Sequence, residues 1–154
     1  MIQRIQTLYL LVVAALLAVT IFTPMAYFSI GGEEYTLTAF AVRNAEGAAV
    51  QPTLYMGILL AMAGILPLIV IFLYKHRMLQ LRLCIVEIVL LVGSAVMTGI
   101  YYYLSVRFFS QTDLVAKGVH AGIVLPLVAI VFAVLAIRGI FKDEMLVRSL
   151  NRIR

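Results

Sequence analysis

The sequence predicts an all-α membrane protein: a four-transmembrane-helix, up-down-up-down bundle with a small extracytoplasmic β-hairpin between helices 1 and 2 and a C-terminal amphipathic helix. Three observations lead there. Four apolar stretches, 5–22, 54–74, 83–104 and 119–137, each come close to the roughly 20 helical residues needed to cross a hydrocarbon core of about 30 Å. Hydrophobic residues make up 64% of the 154, too many for the polar surface of a water-soluble globule to cover. The Lys and Arg residues gather at the ends of the apolar stretches instead of forming a basic stripe, so the net charge of +5 reports orientation and not nucleic-acid binding.

The first stretch follows Met1–Arg4 and superficially resembles a secretory leader. Its apolar run is longer than the 7–15 residues usual in leaders, and Phe22-Thr23-Pro24-Met25-Ala26 offers no small-x-small cleavage site. It is therefore expected to remain as a permanent helix. Thr23-Pro24 should end it, because proline cannot continue the hydrogen-bond ladder.

The outer segment 23–53 changes period. Tyr27-Phe28-Ser29-Ile30 and Tyr35-Thr36-Leu37-Thr38-Ala39-Phe40 flank Gly31-Gly32, a hairpin pattern of aromatic and β-branched residues around a glycine pair. Alternation sends Tyr35, Leu37 and Ala39 to one side and Thr36, Thr38 and Phe40 to the other. A two-stranded hairpin is marginal alone in water, so it should rest on the helix ends. Asn44-Ala45-Glu46-Gly47 is a second turn, and Gln51-Pro52 leads into the second helix.

Lys75-His76-Arg77 joins spans two and three, and 105–118 joins spans three and four. The tail 138–154 carries Leu146, Leu150 and Ile153 on one stripe. Asp143 is positioned to cap its start, Glu144 and Arg148 are spaced as an i,i+4 pair, and Lys142, Arg148, Arg152 and Arg154 give a basic inner surface. Such a helix lies on a membrane and is drawn to anionic lipid by about 1 kcal/mol per basic residue. With the termini inside, Arg4, Lys75, Arg77, Arg82, Arg138, Lys142, Arg148, Arg152 and Arg154 fall on the inner side and Arg43, Arg107 and Lys117 on the outer. That nine-to-three bias places both termini in the cytoplasm. The chain is expected to form one membrane domain over residues 1–154, since neither extramembrane piece can build its own core.

The single cysteine, Cys84, permits no internal disulfide and excludes a paired-cysteine thiol oxidoreductase. His76 and Cys84 fall near one membrane face and His120 near the other, so no metal site is expected, and nothing in the loops points to a cofactor. Gly64-Ile65-Leu66-Pro67-Leu68 nearly recurs as Gly122-Ile123-Val124-Leu125-Pro126-Leu127, which would suit a transporter repeat. Pro67 lies 8 residues before Lys75, however, and Pro126 lies 12 before Arg138, a depth mismatch of roughly 6 Å at 1.5 Å per residue. Two proline kinks is the simpler account.

Glu87 is the acidic residue inside an apolar span. A charge there is costly if unpaired, so it is either half of an ion pair with Arg82, Arg77, Arg4 or Arg138 or a partner-binding or proton-linked group; the ion pair is the expectation. Tyr101-Tyr102-Tyr103 should anchor the outer interface, where rings are apolar and hydroxyls meet water. Gly118-x-x-x-Gly122, Ala95-x-x-x-Gly99 and the row Gly57, Ala61, Gly64 put small residues at spacings that allow close helix packing within the bundle.

The segments Met1-Ile2-Gln3-Arg4-Ile5-Gln6-Thr7-Leu8-Tyr9-Leu10 and Lys142-Asp143-Glu144-Met145-Leu146-Val147-Arg148-Ser149-Leu150-Asn151-Arg152-Ile153-Arg154 resemble the termini of a family of four-span membrane proteins of Bacteroidota that forms a domain of unknown function. The resemblance covers essentially the whole chain; it implies an inner-membrane location and supplies no catalytic residues. The order of helix, β-containing outer loop and three further helices is also similar to that of claudins, although the tryptophan and cysteine signature of the claudin outer loop is absent. The functional expectation is a non-enzymatic, multi-pass protein of the bacterial inner membrane, an accessory or structural subunit binding lipid, another membrane protein or a second copy of itself. The alternatives are a small transporter or channel component using Glu87 and an enzyme of lipid or envelope metabolism. Nucleic acid is not an expected partner.

Overall fold

The computed structural model describes residues 2–74, 76–110 and 114–151. Its elements run α1 (Ile2–Phe22), β1 (Ala26–Ile30), β2 (Glu33–Leu37), β3 (Ala41–Arg43), β4 (Ala49–Pro52), α2 (Leu54–Phe72), α3 (Arg77–Phe109), β5 (Leu114–Val119), a short 3-10 turn (Ala121–Ile123) and α4 (Leu125–Asn151). All four α-helices are long and apolar enough to cross a membrane, the mark of a multi-pass membrane protein. Each helix packs on two neighbours: α1 lies against α2 and α4, and α3 lies against α2 and α4.

The core-facing residues repeat at alternating steps of three and four. Gln6, Leu10, Val13, Leu17 and Thr20 form the stripe on α1; Leu60, Ala63, Pro67 and Val70 continue it on α2. On α4 the stripe is Ala129, Ala133, Ala136 and Ile140. Small side chains there let the helix backbones approach closely, which substitutes packing contact for the hydrophobic drive that lipid does not supply. Large apolar residues also cover the opposite faces: Leu8, Leu11, Ile58, Ile65, Val89, Val96 and Val131 are exposed. A bundle with a bulky apolar exterior is suited to acyl chains.

Instead of a two-stranded hairpin, the non-helical segments build a five-stranded sheet in the order β4-β3-β2-β1-β5. The predicted hairpin is its centre. Gly31 and Gly32 take φ of +57° and +92°, as a two-residue turn requires, and β1 pairs with β2 from Ala26↔Leu37 to Ile30↔Glu33. The predicted alternation also appears, with Leu37 and Ala39 fully buried and Phe40 exposed. The added strands have a clear cause: one edge of β1 was unpaired, and β5, from the connection between α3 and α4, fills it from Ala26↔Val119 to Ile30↔Leu114. The two connecting segments are thereby stitched into one sheet.

Helix limits differ from the sequence expectation at three places. α3 extends beyond 83–104 at both ends, and its 33 residues measure about 50 Å, well beyond a bilayer core. The fourth span does not begin at 119, because Val119 ends β5 and the helix starts at Leu125. The tail is not a separate surface helix: α4 runs unbroken from Leu125 to Asn151, since no Pro or turn sequence interrupts it after Pro126. Asp143 therefore caps nothing; it sits within α4 and pairs with Arg77 at 3.4 Å.

Candidate functional site

The sheet covers one end of the bundle through an aromatic cluster. Phe28 of β1 packs against Tyr102 and Phe109 of α3, with ring centroids 5.7 and 5.5 Å apart, and Tyr35 of β2 lies 5.0 Å from Phe109. The start of α2 is locked to the β2–β3 turn by Thr53, whose buried hydroxyl lies 3.1 Å from both the Thr38 and Ala39 carbonyls. Gly57 leaves room for the Phe40 ring, and a Cβ at Gly122 would meet the Pro24 carbonyl. The tyrosine triplet thus divides. Tyr102 serves the packing, Tyr101 is half-buried, and Tyr103 is exposed with its hydroxyl accepting from Arg107 Nε at 3.1 Å.

The expected small-residue seams also divide. Gly118 is in β5 beneath the Tyr27 ring and Gly122 is in the 3-10 turn, so the two do not share a helix face. Ala95 is half-buried, whereas Gly99 is exposed and a Cβ there would meet nothing within 4 Å, so it makes no close packing inside the bundle. Gly64 does face the interior, 3.7 Å from the Leu17 Cβ.

The most unusual chemistry is the buried stripe of α3: Gln80, Cys84, Glu87, Leu91, Ser94, Thr98, Ser105 and Phe109. Six of these eight carry a polar atom, on a helix whose outer face is apolar. Sequence analysis selected Glu87 alone, yet Gln80, Glu87 and Ser94 are spaced by seven, as are Cys84, Leu91, Thr98 and Ser105. That heptad spacing was the available signal. Ser94 donates to the Leu91 carbonyl and Thr98 to the Ser94 carbonyl, both at 2.8 Å, so these hydroxyls are satisfied within α3.

Glu87 is 0% exposed and neither carboxyl oxygen has a hydrogen-bond partner. Among the described residues the expected ion pair is not formed, for physical reasons. Arg82 is exposed and lies five residues away, which on a helix turns it about 140° to the far side. Arg77 is ten residues, roughly 15 Å, along the axis, and it faces Asp143. Arg138 is exposed, and the side chain of Arg4 lies outside the described residues.

At the end of the bundle opposite the sheet, Gln6, Thr7, Tyr74, Arg77, Gln80 and Asp143 line a small cavity of about 20 Å³. Gln6 is 4% exposed and its Nε2 has no partner, while Gln80 Nε2 donates to the Val70 carbonyl at 3.4 Å. Of the basic tail, Lys142 is exposed; the side chain of Arg148 and residues Arg152 and Arg154 lie outside the described residues. The His120 ring packs against the Tyr27 ring at a tilt, with centroids 5.2 Å apart, far along the chain from buried Cys84, and among the described residues no three of His, Cys, Asp and Glu come together as a metal site.

A family model described as a domain of unknown function, DUF4293, matches residues 2–153. The chain belongs to that family. No curated protein matches it. For this member of DUF4293, two places stand out in the structure: the sheet, with exposed edges, and the unpartnered carboxyl of α3.

Proposed function

We propose that this member of DUF4293 is a non-enzymatic protein of the bacterial inner membrane, inserted up-down-up-down with both termini cytoplasmic, and that its outer sheet is the recognition surface for another membrane protein. The observation that carries this reading is that two separate connections converge on one sheet packed on the helix ends, while its edge strand β4 pairs with β3 on one side only, has no strand on its other side among the described residues, and exposes Ala49 and Val50. An open edge offers backbone donors and acceptors to a partner strand, with Val50 supplying an apolar contact. The nine-to-three Lys and Arg asymmetry supports placing that sheet outside.

A photoreactive benzoyl-phenylalanine at Val50 tests the reading in native membranes. It should yield a discrete protein adduct that is absent when the same probe replaces lipid-facing Val131. Equal adducts at both positions, or none at Val50, would defeat it.

A second reading is favoured by one observation, the unpartnered Glu87 carboxyl: a small transporter or channel component that uses this group. Proteoliposomes should then show a proton-coupled flux that Glu87→Gln abolishes, and an unchanged flux would remove this reading.

A further inference from the structure

Glu87 lies between two apolar layers. Cys84, one turn before it, belongs to a cluster with Leu10, Val70, Ala136 and Ile140; Leu91, one turn after it, belongs to the larger cluster that runs to the sheet. An ionised carboxylate without a partner in such surroundings is costly, whereas the neutral acid carries only the much smaller cost of a dipole.

The surroundings are unequal on the two sides. Toward the sheet, Leu91 to Phe109 spans eighteen residues, roughly 27 Å of helix, and Ser94 and Thr98 spend their hydroxyl protons on carbonyls of α3 itself. Toward the opposite end, Gln80 is only seven residues from Glu87, roughly 10 Å, with a single apolar layer between them. Gln80 lines the cavity described above, whose volume suits one water molecule, and the unpartnered Gln6 Nε2 beside it is a donor such a water would satisfy.

We propose that Glu87 is a proton-binding site that exchanges with water at the end of the bundle opposite the sheet, by way of the Gln6–Gln80 cavity. The proton moves between the Glu87 carboxyl and water in the cavity, and no other bond changes. Titratable groups along this route are Cys84 and Arg77 on α3, Tyr9 on α1, Tyr74 after α2 and Asp143 on α4. Arg77 and Asp143 offset each other as a pair. Lys142 and Arg138 of α4 are exposed, away from the interior. The proposal concerns where the proton exchanges and stands whether or not the chain carries a flux.

Infrared spectroscopy of the full chain in oriented lipid vesicles tests it through the C=O stretch of a protonated carboxyl, assigned as the band that Glu87→Gln removes. The band should be present at neutral pH. It should disappear when the pH is raised on the cavity side and persist when the pH is raised on the sheet side only. Replacing both Gln6 and Gln80 with Leu should slow that disappearance roughly tenfold, the kinetic effect of losing about one hydrogen bond along the path. A band absent at neutral pH, one that answers to the sheet side, or one indifferent to both sides overturns the proposal. So does an unslowed response in the double variant, and the wild-type measurement decides the sidedness even if that variant fails to fold.

Discussion

Glu87 shows how one residue's meaning depends on its angular position. A helix turns 100° per residue, so Arg82 points away from Glu87 although it is near in sequence. Because neither carboxyl oxygen has a hydrogen-bond partner among the described residues, Glu87→Leu should stabilise the chain, by about 1–3 kcal/mol for removing an unsatisfied buried polar group, read as a raised melting temperature in detergent or nanodiscs. A melting temperature lowered by several degrees would reveal a partner. The Arg77–Asp143 pair should be worth far less than its geometry suggests. Its side chains remain 28% and 17% exposed, and a double-mutant cycle with Arg77→Gln and Asp143→Asn should return no more than about 1 kcal/mol. Gly57 carries a larger constraint. Gly57→Ala should destabilise by roughly 1–3 kcal/mol, because the added methyl meets both the Phe40 ring and the Ala39 carbonyl oxygen. Adding Phe40→Ala should recover only part of that loss, since the backbone oxygen stays in place. Full recovery would show that the ring alone was limiting.

At the scale of elements, the hairpin and helix cores were legible and their ends were not. Gly31-Gly32 between aromatic runs states its turn locally, and the structure places the turn there. β3 and β4 are short, and β5 contains Lys117 and Gly118, so none has a strong strand pattern of its own; their pairing comes from the unfilled edges beside them. The fourth helix outlasts the apolar stretch because Arg138 marks where hydrocarbon stops favouring the residues, not where hydrogen bonding stops. α4 continues through it. Hydrogen exchange in nanodiscs should accordingly show protection running without a break through Arg138, Gly139 and Ile140 to Val147. Rapid exchange confined to Arg138–Phe141 would instead indicate a hinge and a separate tail.

At the scale of the whole molecule, the proposed orientation makes a direct prediction. In a Cys84→Ser background, a cysteine at Gly47 should react with an impermeant maleimide in intact spheroplasts and one at Ser149 should not; labelling at Ser149 would reverse the topology. Composition and spacing alone determined that the chain has four membrane-length helices, that proline ends the first, and that a glycine pair turns a hairpin between the first two. These are local properties: hydrophobic length and backbone permissiveness are carried by consecutive residues. Tertiary structure decided that the hairpin grows into five strands, that Gly99 faces outward while Gly57 meets Phe40, and that the Glu87 carboxyl has no hydrogen-bond partner among the described residues. Each of those outcomes depends on which faces of distant segments meet. In a membrane the ordinary guide to that question is weakened, because lipid accepts apolar faces as readily as the core does and burial no longer follows from hydrophobicity.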